Sequence, residues 1–227
     1  MDTQNKYVLD RVKANSMENV GWRGRYYKPI ASFRGNLKRH EPDYTNWEES
    51  IALFGESTTW GHELEEEQKL HNVIETTRTI NNFAYPAESN FHMWMKLIDQ
   101  VKEKGWPYMV VMGWTTFFRI ADFKTGGSFI VHRGQGVIPT VENIGHWSGK
   151  PYTDFLERNE TNLIEYSKLV MDSTQLMCKG NTKLFEWSWF SLNRNELFVN
   201  KIDFSKDGYH PGPKSIQNVA RKIENEL

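Results

Sequence analysis

A chain of 227 residues, 38% hydrophobic and 25% charged, is long enough to bury a substantial core and too apolar to be disordered throughout. Its formal net charge of −1 argues against a protein built as a whole to hold nucleic acid. The single cysteine, Cys178, excludes an internal disulfide and does not require an oxidising compartment.

The first 46 residues differ from the rest. Residues 1–39 carry nine Lys or Arg against three Asp or Glu, and the stretch GWRGRYYKPIASFRGNLKRHEPDY is basic, aromatic and broken by Gly and Pro. Residues 1–46 read as an arm: packed on the domain, in contact with a second copy, or forming a patch for an anionic ligand. Packing is favoured, because so many aromatic rings are costly to leave in water.

From residue 50 strand-like and helical runs alternate. SIALFG (50–55) is short, apolar and ended by glycine, as a buried strand is. TINNFAYP (79–86) is a weaker strand stopped by Pro86. SNFHMWMKLIDQVKEKG (89–105) is helical, with Phe91, Trp94, Met95, Ile98 and Val101 at three- and four-residue steps, Ser89 to cap its start and Gly105 to close its end. YMVVMGW (108–114) is apolar without alternation, as a central parallel strand requires. The glycine-rich stretch 119–150 lacks periodicity and reads as a long loop inserted over a site. Residues 152–180 read as a long helix and 183–190 as a strand, while ELFVN (196–200) is an edge strand or a loop. PGPKSIQNVARKIENEL opens with prolines and then sets Ile216, Val219 and Ile223 on one helical face. The alternation predicts an α/β domain over 47–227, with a mainly parallel sheet covered on both faces.

Ligands of such sheets bind beyond the carboxyl ends of the strands. Polar stretches follow the first three strands (GESTTWG, YPAESN, GWTTFFR), and a fourth, KDGYHPGP, precedes the last helix. On its own, Ser57 fits a plain connecting turn, and Asp207 and His210 fit a helix-entry cluster. A three-residue step also sets the Asp207 carboxylate within reach of the His210 imidazole, so serine, aspartate and histidine could form a nucleophile, an orienting acid and a base.

Four blocks resemble those of the SGNH (GDSL-type) hydrolase family over roughly residues 50–227. Gly55-Glu56-Ser57 is similar to the first block, usually Gly-Asp-Ser, and Asp207-Gly208-Tyr209-His210-Pro211 matches the last, Asp-x-x-His-Pro. Asn82 to Asn90 resembles the second block and Gly113-Trp114-Thr115 the third. The resemblance implies a flavodoxin-like three-layer α/β/α sandwich. It also implies Ser57 as nucleophile, His210 as base, Asp207 as its orienter, and an oxyanion hole from Ser57, Ala87 and Thr115. Thr59 stands where a Gly-x-Ser-x-Gly elbow would end in glycine, which counts against the α/β-hydrolase fold.

Three positions depart from the family pattern. Glu56 replaces the aspartate beside the nucleophile. Ala87 replaces the second-block glycine and keeps a backbone N–H to donate. Thr115 replaces the third-block asparagine and reaches less far than a carboxamide; loss of one oxyanion donor costs about 10²–10³ in turnover. Thr116, Arg119 or a water could fill that gap.

The resemblance implies a serine ester hydrolase working through an acyl-enzyme, such as a carbohydrate O-deacetylase or small-ester esterase, on small-molecule or carbohydrate esters. The alternative is a catalytically weakened protein of the same fold that binds a glycan or a partner. A third reading makes the basic arm the working element, docked on an anionic polymer. The other histidines (His40, His62, His71, His92, His132, His146) show no paired ligand spacing, and HELEE at 62–66 lacks the second histidine of HExxH. No metal, cofactor or nucleic acid is expected. MDTQNKYVLDRVK lacks the apolar region of a signal peptide and no run of eighteen apolar residues occurs, so the expectation is a soluble, cytoplasmic protein without a membrane span.

Overall fold

The computed structural model describes residues 40–86, 88–117, 119–122, 127–130, 150–190, 192, 197–208 and 210–227. Most of the basic arm (1–39), Ala87 and much of the 119–150 stretch lie outside the described residues. The apolar run after Ser50 forms β1 (Ile51–Gly55), and the run near 110 forms β3 (Met109–Trp114); both are buried at every residue. β1 pairs in parallel with β2 (Ile80–Asn82) on one side and with β3 on the other, and β3 pairs in parallel with β6 (Lys183–Ser188). The sheet order is β2-β1-β3-β6.

Alternation along the central strands divides the core in two. Ala52, Phe54, Val110 and Met112 face α3 (Asn90–Lys104) and α4 (Lys150–Cys178), where they join Met93, Leu97, Val170 and Met171. Ile51, Leu53, Met109 and Val111 face the other way, towards Leu70 of α2 (Leu70–Val73) and Ile216, Val219 and Ile223 of α5 (Pro213–Glu224). The result is the three-layer α/β/α sandwich of a flavodoxin-like fold. A strand packed on both faces has no room for a polar side, which is why these runs are continuous in the sequence.

The caps of α3 lie where the sequence put them. Ser89 Oγ accepts from the His92 N–H at 3.3 Å, and Gly105 closes the helix at φ 83°. β2 is shorter than 79–86, although Phe83 and Tyr85 still donate to the Leu53 and Gly55 carbonyls at 2.8 and 3.0 Å. The stretch 119–150 is not a loop throughout. β4 (Arg119–Asp122) and β5 (Gly127–Ile130) form an antiparallel pair, Arg119 opposite Ile130. Each run is four residues long, too short to carry a period, and its ladder partner is the other. Phe198 makes a single parallel bridge to Ser188, so the 197–199 segment adds a rudimentary edge to the sheet. The last residues of the arm touch the domain: Asp43 N–H donates to Asn81 Oδ1 at 2.7 Å, and Asn81 Nδ2 donates back to the Asp43 carbonyl at 2.9 Å. Among the described residues no helix is long and apolar enough to cross a membrane.

The N-cap position of α5 is Gly212, which offers no side chain, and Asp203 supplies the missing acceptor. Its Oδ2 accepts from Lys214 N–H at 3.0 Å and its Oδ1 from Ser215 N–H at 2.8 Å. Burial works against the charge, but these donors and the Ser215 hydroxyl outweigh it and hold the carboxyl below its ordinary value of 3.8. Asp203→Ala is expected to lower stability by about 1–2 kcal/mol, read as a shifted urea midpoint. Because the folded pKa is depressed, this contribution is complete above the ordinary value and fades as pH falls through the folded one. A midpoint unchanged at neutral pH would remove Asp203 as a cap.

Candidate active site

Just past β1 the chain makes one helical turn, α1 (Ser57–Trp60), closed by Gly61 at φ 86°. Gly61 and His62 N–H both donate to the Ser57 carbonyl, at 3.1 and 2.9 Å. The turn sits this close to the sheet because Thr59 Oγ1 occupies a notch left by two glycines. Gly55 and Gly113 are register partners on β1 and β3, and a Cβ on either would lie 2.0 or 2.1 Å from that oxygen. Ser57 is thereby held at the carboxyl edge of the sheet, 9% exposed.

The second segment is the loop before α5. A bridge from Phe204 to Pro211 and a bond from Ser205 N–H to the His210 carbonyl at 2.8 Å fold it into a tight bend. Asp207 Oδ1 accepts from the Ser205 hydroxyl at 2.7 Å and from His210 N–H at 2.9 Å, which fixes the carboxylate. Its Oδ2 lies 2.5 Å from His210 Nδ1, and His210 Nε2 lies 2.9 Å from Ser57 Oγ, across 153 positions of sequence. Ser57, Asp207 and His210 are one hydrogen-bonded chain.

Glu56 is in direct contact with that chain. It is 2% exposed, its carboxylate accepts from the Ser57 hydroxyl, and it accepts from Thr58 N–H at 3.1 Å. Arg119 Nη1 lies 3.3 Å from Glu56 Oε2 and donates to the Glu88 carbonyl at 3.3 Å. Burial pushes the Glu56 carboxyl up, but Arg119, His210 and the bonds from Ser57 and Thr58 together prevail and hold it at about 2. Arg119, a candidate from the sequence for a missing oxyanion donor, is engaged with these carboxylate and carbonyl oxygens.

Of the three expected oxyanion donors, Ser57 and Thr115 are described, and Ala87 lies outside the described residues. Thr115 is fully buried, and the Asn90 side chain brackets its backbone: Thr115 N–H donates to Oδ1 at 2.9 Å and Nδ2 donates to the Thr115 carbonyl at 3.1 Å. Thr115 Oγ1 has no hydrogen-bond partner among the described residues.

The parallel order β2-β1-β3-β6, with the serine after β1 meeting the aspartate and histidine ahead of the last helix, decides the architecture. The fold is SGNH-hydrolase-like. No family model matches the sequence, and no curated protein matches it. Solved structures similar to it include two of the lipolytic G-D-S-L family. A protein of the lipolytic G-D-S-L family from Desulfitobacterium hafniense DCB-2 matches over 78% of this chain and 99% of its own, with 12% identity and a TM-score of 0.38. A member of the same family from Veillonella parvula DSM 2008 matches over 78% and 96%, with 10% identity and a TM-score of 0.39. These scores are low, and the SGNH-like architecture rests on the sheet order and on the two segments that meet at its edge.

Two neighbours of this site were not singled out as such from the sequence. Asn90 reads there only as part of the second block, and His62 only as a histidine without paired ligand spacing. The His62 ring lies 4.7 Å from the His210 ring, centroid to centroid. Nothing in HELEE announces that contact, because the partner arrives from the far end of the chain.

Proposed function

We propose that the protein is a serine ester hydrolase that works through an acyl-enzyme. The observation that carries this reading is the 2.9 Å contact between Ser57 Oγ and His210 Nε2. A serine hydroxyl barely ionises at neutral pH, so attack on an ester carbonyl needs a base that takes the proton as the C–O bond forms. His210 Nε2 takes it, and the Asp207 carboxylate, accepting from Nδ1–H, holds the tautomer and stabilises the imidazolium. The imidazolium returns the proton to the departing alkoxide, leaving Ser57 acylated. Water, deprotonated by His210, then releases the acid and restores the hydroxyl. Carbohydrate O-acyl groups or small esters are the substrates of this reading.

The resting contact between Ser57 Oγ and Glu56 bears on rate. The hydroxyl carries one proton and has two acceptors, and only transfer to His210 starts the reaction. That competition, with threonine at the third-block position, favours the second reading: a weakened member of this fold that binds a glycan or partner without turnover.

A fluorophosphonate probe separates the two. Intact-mass analysis is expected to find one adduct on the wild type and none on Ser57→Ala. A folded wild-type sample that takes no label, yet binds a glycan equally well with and without the Ser57 hydroxyl, would leave the binding reading standing.

A further inference from the structure

His62, Asp207 and His210 each bring one ligand-competent atom to a common point, all within 4.8 Å of one another. We propose that these three residues bind a divalent transition-metal ion such as zinc, and that the bound ion switches off the hydrolytic centre. The switching rests on the hydrolase reading above; the binding does not.

Two imidazoles and one carboxylate are a donor set that zinc accepts, with a fourth position left for water. Nitrogen-rich sets of this kind favour zinc, copper, nickel or cobalt over magnesium and calcium. Zinc–nitrogen and zinc–oxygen bonds of about 2.0–2.2 Å place tetrahedral ligands roughly 3.3 Å apart. His210 Nδ1 and Asp207 Oδ2, 2.5 Å apart, therefore need to open by about 0.8 Å, and the wider separations need to close by about 1.5 Å at most, both within the range of side-chain rotation. The His62 and His210 rings are already adjacent, their centroids 4.7 Å apart and their planes tilted by 58°. The backbone anchors are independent of the ion: His62 N–H donates to the Ser57 carbonyl, and the His210 carbonyl accepts from Ser205 N–H.

A second observation bears on how His62 would be held. Its Nε2 lies 3.5 Å from Glu63 Oε1. Histidines that ligate metals commonly give their other ring nitrogen to a carboxylate, which orients the ring and raises its basicity. With Glu63 on the Nε2 side, Nδ1 is the ligating atom of His62.

Which nitrogen of His210 takes part follows from Asp207. The carboxylate faces Nδ1, so an ion shared by the two residues bonds to Nδ1 and to a carboxylate oxygen. The Nδ1–H···Oδ2 hydrogen bond breaks, two coordinate bonds replace it, and the ring's one proton moves to Nε2. No proton or electron is lost overall. An imidazole protonated at Nε2 can donate to Ser57 Oγ but cannot accept its proton. Occupancy thus leaves the fold in place and removes the base.

The test uses the full chain, freed of metal, and zinc chloride alone as the probe. Calorimetric titration is expected to show one zinc per chain, and His62→Ala to weaken it by about 10–100-fold or more. In parallel, zinc is expected to suppress hydrolysis of p-nitrophenyl acetate by the wild type at the concentration that fills the site. His62→Ala keeps its zinc-free turnover and escapes suppression. Should His62→Ala fail to fold, His62→Gln, of similar size, reads the same binding. Zinc binding absent, or equally tight in wild type and in a folded His62 variant, overturns the proposal. Zinc binding that depends on His62 in a chain without esterase activity would instead overturn the hydrolase reading and leave the metal site intact.

Discussion

Ser57→Ala is expected to lower ester turnover by about 10³–10⁶-fold, with little change in KM. The substitution deletes the atom that attacks, while the groups that bind the ester stay in place. Residual hydrolysis comes from substrate binding and from whatever donors face the carbonyl oxygen. His210→Ala is expected to lose a similar amount, and the double variant scarcely more than either, because a nucleophile without its base and a base without its nucleophile fail at one step. Folding should change little. Glu56 loses one donor but keeps Thr58 N–H and Arg119. Single-turnover kinetics on a chromogenic acetate ester measure the effect. Turnover within tenfold of wild type in Ser57→Ala would reject the serine mechanism.

Arg119→Met is expected to cost about 3–5 kcal/mol of stability, because it strands an ionised, almost fully buried carboxylate. For a chain of this size that corresponds to a Tm lower by roughly 6–20 °C. Glu56→Gln combined with Arg119→Met should recover most of the loss, since the charge that needed a partner is gone. The pH dependence follows from the sign of the shift. Glu56 has its folded pKa lowered from 4.5 to about 2, so its contribution is fully present above 4.5 and is lost as pH falls from there through about 2. Wild type is therefore expected to lose stability over that acid window, and the double variant to lose less. Equal acid sensitivity in the two would mean that the Glu56–Arg119 pair does not act as described.

These expectations differ in how far the sequence reveals them. Ser57 and the Asp207–His210 pair were legible because each is carried by a short block: a turn after an apolar run, and an acid three residues before a histidine. Arg119 and Glu56 are 63 positions apart, and nothing in FFRIAD says that the arginine will find a buried carboxylate. The β4–β5 pair was hidden for the same reason. Each strand is half of a ladder, and four residues without their partner carry no period. Asp203 caps a helix that begins ten positions later, beyond the reach of the usual capping signature.

What the sequence determined by itself was the layering. Ile51 to Phe54 and Met109 to Met112 are apolar on alternate faces at once, a pattern that only a strand buried on both sides satisfies, and Ser89 and Gly105 mark the limits of α3 through bonds made within a few residues. What the tertiary structure alone decided was company: His62 against His210, Arg119 against Glu56, Thr59 Oγ1 in the notch between Gly55 and Gly113. Local preference depends on neighbours along the chain and can be read from it. The worth of a charge, a ring or a missing Cβ depends on burial and on what lies across the gap, and that exists only once distant segments have come together.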